Sequence, residues 1–114
     1  MNYSNYKISL DMHDTEAQAV VSVNRGDTIR RITAVLTEND MPFELNEGYG
    51  AKLFAKLPDE TVLPAGCKVS GNVITCDLDQ KLTAQSGFVA CEFKILNEAG
   101  KPVLTTPSFH ITVR

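Results

Sequence analysis

Apolar and polar residues alternate along most of the chain. Tyr6, Ile8, Leu10 and Met12 share one parity, as do Ile32, Ala34 and Leu36, and then Ala51, Leu53, Ala55 and Leu57. The pattern returns at Ile74, Cys76 and Leu78, at Val89, Cys91, Phe93 and Ile95, and finally at Phe109, Ile111 and Val113. A period of two puts each set on one face of an extended strand, where it can be buried against a second sheet. No stretch of ten residues carries the i, i+3, i+4, i+7 stripe of an amphipathic helix. One helical turn is predicted over Asp79–Ala84, with Asp79 as its cap.

Turn signals punctuate these runs at Arg25-Gly26-Asp27, Asn39-Asp40, Glu47-Gly48, Pro58-Asp59, Ala65-Gly66, Gly71-Asn72, Ser86-Gly87 and Ala99-Gly100. They recur about every ten residues, the interval of a β-sandwich or barrel. The expected fold is therefore all-β: a two-sheet antiparallel β-sandwich over residues 1–114, with residues 1–5 as a flexible N-terminal arm. The segment Gln85-Ser86-Gly87-Phe88-Val89-Ala90-Cys91 invites comparison with immunoglobulin domains, where a Tyr stands two residues before a Cys. Val89 replaces that Tyr, no cysteine lies near residues 19–37, and the chain has no Trp. The expectation is immunoglobulin-like topology without the conserved disulfide or Trp.

Composition narrows the function. A chain of 114 residues, 43% apolar and 22% charged, is typical of a soluble globular domain and buries about two-thirds of its surface on folding. The net charge of −3 argues against a nucleic-acid or anionic-membrane surface. The polar N-terminus is not that of a signal peptide, and the longest apolar runs fall far short of the roughly 18 residues that span a bilayer. Synthesis in the cytoplasm is expected. Cys67, Cys76 and Cys91 have no CxxC spacing and are expected as reduced thiols, with Cys67, beside the Gly66 turn, the readiest to react.

Catalytic chemistry finds little footing. His13 and His110 are the only histidines, and His110, between Phe109 and Ile111, takes the solvent side of a terminal strand. No G-x-S-x-G elbow is present. Asp11, His13, Asp14 and Glu16 have metal-ligand chemistry, but D-M-H-D-T-E matches no loop of fixed ligand spacing and reads as a solvated turn. Gly48-Tyr49-Gly50 lacks the third glycine and the helix of a phosphate-binding loop. Arg25-Gly26-Asp27 reads as a turn in which Gly26 supplies a positive φ. No catalytic residue, metal or cofactor is expected.

Phe54 stands apart from the other aromatics. It alternates with Lys52 and Lys56 on the face opposite Leu53 and Ala55. An outward aromatic between two lysines is either a partner anchor or a residue that a neighbouring loop covers.

Taken in order, several segments resemble the N-terminal domain of phage baseplate upper proteins, from siphophages and prophages of Gram-positive bacteria. They are the valine run into Arg25-Gly26-Asp27-Thr28, Leu36-Thr-Glu-Asn-Asp-Met-Pro42-Phe-Glu-Leu45 and Ala51-Lys-Leu-Phe-Ala-Lys-Leu-Pro-Asp59. Leu78-Asp-Gln-Lys-Leu-Thr83-Ala84-Gln-Ser-Gly87 leading to Cys91-Glu92, and Ser108-Phe109-His-Ile-Thr-Val113, complete the set. The resemblance runs from about Tyr6 to Val113. It implies a non-enzymatic virion module whose β-sandwich docks on the tail hub and supports receptor-binding proteins. Its implied partners are other baseplate and tail proteins, with no nucleic acid or membrane. It implies a homo-oligomer in the virion and a monomer or weak oligomer when isolated. Such proteins carry a trimerising stalk beyond this domain, whereas this sequence stops at Arg114. A carbohydrate-binding or adhesion module of a host-attachment protein is the alternative, although aromatics total only 7%.

Overall fold

The computed structural model describes residues 4–13, 20–25, 30–78 and 80–114. Among the described residues ten strands follow one another: β1 (Ser4–Asp11), β2 (Val20–Val23), β3 (Arg30–Glu38), β4 (Met41–Pro42) and β5 (Gly50–Lys56). β6 (Val62–Ser70), β7 (Val73–Leu78), β8 (Gly87–Leu96), β9 (Pro102–Thr105) and β10 (Phe109–Val113) complete them. A 3-10 turn at Gln80–Thr83 occupies the position of the predicted helical turn. Its expected cap, Asp79, lies outside the described residues. So do residues 1–3 of the expected N-terminal arm, whereas Ser4 and Asn5 pair with Arg30 and Arg31 in β1.

The alternating sets line one core. Leu10, Ile32, Ala34, Leu36, Leu53, Ala55, Ile74, Val89, Phe93, Ile95, Phe109 and Ile111 are fully buried. Phe93 and Phe109 stack at its centre, with ring centroids 5.4 Å apart. Leu82 closes the core from the 3-10 turn.

Hydrogen bonding runs in the order β1-β3-β7-β6-β5-β8-β10-β2, with β4 beside β3 and β9 beside β8. β6 joins the two layers: Lys68, Val69 and Ser70 pair with β7, while Val62 to Cys67 pair with β5. The result is a sandwich whose sheets merge along β6 into a nearly closed barrel, with β1 and β2 at the two ends of the path. Most pairings are antiparallel, as expected, but β1 with β3 and β2 with β10 run parallel. The chain passes from β1 into the opposite layer, as β2, before returning as β3. That path supplies the long connection a parallel pair requires.

The expected turn at Ala65-Gly66 is instead the middle of β6. Pro64 is tolerated there because this half of β6 pairs only with β5, leaving an edge that needs no donor from residue 64. Cys67 accordingly sits in a strand, half-buried, and not beside a turn. The Asn39-Asp40 turn does form. Both residues have positive φ, 51° and 65°, as the two-residue turn between β3 and β4 demands.

Candidate protein-docking face

β5 and β8 lie side by side, and their outward residues follow from the same parity that buries Leu53 and Phe93. Lys52 faces Lys94, Phe54 faces Glu92, and Lys56 faces Ala90. On the other flank, Phe54 is opposite Pro64 and Lys56 opposite Val62 in β6. β10 adds His110, which is paired with Ala90. The outer surface of this sheet thus carries Phe54, Val62, Pro64 and Ala90 among three lysines and one carboxylate.

Phe54 is half-buried in the wall of a shallow cleft of about 330 Å³, lined also by Lys56, Val62, Ala90, Cys91, Glu92 and Ser108. Val62 is 53% exposed and Phe88, at the start of β8, 68% exposed. The Phe88 ring meets His110 edge-on at 6.3 Å. Phe88 escaped the sequence reading, yet the signal was available: it adjoins the inward Val89, as Phe54 adjoins Leu53.

Charge on this face is unevenly paired. The Lys56 Nζ lies 2.6 Å from Glu60 Oε2. Lys94 Nζ reaches Glu92 Oε1 at 3.7 Å and donates to Thr105 Oγ1 at 3.3 Å. Lys52 forms no ion pair among the described residues and stands directly across from Lys94. Like charges in that position repel, so the face is electrostatically suited to a carboxylate-bearing partner. Chemically it offers apolar burial and cations.

The remaining candidates disperse. Asp11 Oδ1 accepts from the His13 backbone N–H at 2.9 Å, a local turn; Asp14 and Glu16 lie outside the described residues. Among the described residues, no three His, Cys, Asp or Glu side chains gather as a metal-holding group. Gly26 and Asp27 also lie outside them, while the Arg25 N–H donates to the Arg114 carbonyl at 3.0 Å. Gly48 has φ +83° in the turn before β5, and a Cβ there would lie 2.8 Å from Glu98 Cγ. No helix follows it. No described helix is long and apolar enough to cross a membrane. All three cysteines are free, and burial pushes the Cys91 thiol up to about 12.

No family model matches the sequence, and no curated protein does. Among solved structures, the chain is similar to the N-terminal domain of phage TP901-1 ORF48. The TM-score is 0.77 at 16% identity, covering 97% of this chain and 98% of that one. It is also similar to the crystal structure of the cysteine protease inhibitor EhICP2 from Entamoeba histolytica. There the TM-score is 0.51 at 12% identity, over 100% and 99% of the two chains. At these identities the likeness is one of fold.

Proposed function

We propose that this chain is a non-enzymatic structural module of a phage baseplate, bound to other virion proteins through the outer face of β5 and β8. The observation that carries the reading is the shared fold with a domain of a phage protein over 97% of the chain. The ordered set of segments that resemble baseplate upper proteins points the same way. In this reading the sandwich docks on the tail hub and supports receptor-binding proteins. Phe54 is the apolar anchor, and Lys52 and Lys56 are its polar rim, an arrangement of the kind that concentrates binding energy in a few residues.

A symmetric baseplate repeats one contact many times, so each copy binds weakly while the assembly holds through multivalency. The isolated chain is then a monomer or weak oligomer at micromolar concentration. Phe54→Asp in the full-length protein tests the face. The substituted ring is half-buried, so the variant should lose about 1 kcal/mol of stability and still fold. Its incorporation into virions should fail. Val62→Asp, at a more exposed position of the same cleft, should behave alike. Folded variants that assemble normally would place docking elsewhere.

A further inference from the structure

Cys67 and Cys76 lie on neighbouring strands at the point where β6 crosses between the layers. Lys68 on β6 is opposite Thr75 on β7, so one step further along the antiparallel register brings Cys67 opposite Cys76. Both cysteines take the more buried parity of their strands. Both also reach carbonyls of the same short stretch: Cys67 Sγ donates to the Ala65 oxygen at 3.6 Å, and Cys76 Sγ to the Gly66 oxygen at 3.7 Å. Cys76 is 1% exposed, whereas Cys67 is half-buried. Of the two, Cys67 is the residue that a small reagent would meet first.

We infer that Cys67 and Cys76 form a redox modification site, which a low-molecular-weight disulfide oxidises to a cross-strand disulfide between β6 and β7. The Cys67 thiolate attacks one sulfur of the oxidant, forming a mixed disulfide and releasing one thiolate. The Cys76 thiolate then attacks Cys67 Sγ, forming the intramolecular bond and expelling the second. The two protons given up by the cysteines end on the two released thiols, so the oxidant gains the two electrons that the protein loses. The neighbouring Cys76 thiol, and burial after it, push the Cys67 thiol up. The reaction therefore quickens as pH rises, because the thiolate is the nucleophile. The product staples β6 at the position where it leaves one layer for the other.

Oxidised glutathione is the probe. The native chain is incubated with it, then denatured, alkylated and weighed intact. The expected product carries one alkyl group, on Cys91, and lacks two hydrogen atoms; peptide mapping joins Cys67 to Cys76. Cys91→Ser should oxidise normally, and Cys76→Ser should stop at a stable glutathione adduct on Cys67. If Cys76→Ser does not fold, Cys67→Ser replaces it and should resist intramolecular oxidation. Three alkylated cysteines, a persistent glutathione adduct on the unsubstituted chain, or a bond mapped to Cys91 would overturn the assignment. None of these outcomes depends on the docking face.

Discussion

Thr106 occupies a break between two strands that share a neighbour. β9 and β10 both pair with β8, at Lys94–Leu96 and Gly87–Cys91 respectively, and Pro107 between them has no N–H to offer. Thr106 fills the gap. Its N–H donates to the Phe93 carbonyl at 2.9 Å, and its hydroxyl accepts from the Phe93 N–H at 3.1 Å while donating to the Pro107 carbonyl at 3.1 Å. The residue is 3% exposed, so no water takes its place cheaply. Thr106→Val keeps the shape and removes the hydroxyl, leaving the buried Phe93 N–H without a partner. A loss of about 1–3 kcal/mol is expected in urea unfolding, and Thr106→Ser should recover most of it. A valine variant as stable as the native chain would show that the hydroxyl is dispensable.

The loop from β5 to β6 is tied to the end of the 3-10 segment by a single carboxylate. Asp59 Oδ1 accepts from the Thr61 N–H at 3.0 Å, and Oδ2 accepts from Gln85 Nε2 at 3.0 Å. The Gln85 hydrogen bond is the larger cause that holds the Asp59 carboxyl below its ordinary value of 3.8, followed by Thr61. A folded value below the unfolded one means that ionised Asp59 stabilises the fold above pH 3.8, and the contribution fades as pH falls through the folded value. Asp59→Asn should therefore be less stable than the native chain at neutral pH, with the gap closing on acidification. A gap independent of pH would contradict this. Strand identity was legible wherever alternation ran for three or more inward residues, because burial on one face enforces it. β6 was hidden because Pro64 and Gly66 carry turn chemistry, and only an edge position makes them acceptable in a strand. β2 escaped because only Val21 and Val23 mark its inner face. The parallel pairings were invisible, since alternation records which face is buried and not the direction of the neighbouring strand.

At the scale of the molecule, the exposed area is 6642 Å², close to the roughly 6,200 Å² that mass alone implies. Both layers feed one core cluster. Parity placed Phe54, Lys52 and Lys56 on a shared outer face. It could not show that Val62, from the unrecognised β6, completes the cleft beside Phe54 and Lys56, nor that Lys94 confronts Lys52 across the strands. Those neighbours follow from pairing between distant segments. A face that docks on virion proteins is covered in an assembled particle, and lysine acetylation reads that coverage. Purified virions and the isolated chain are treated with the same reagent, and modification at each lysine is read by mass spectrometry. Lys52, Lys56 and Lys94 should be protected in the particle, while Lys101, exposed in the turn before β9, should react equally in both. Equal modification of Lys52, Lys56 and Lys94 in the two samples, or absence of the chain from the particles, would rule out this face as a virion docking surface.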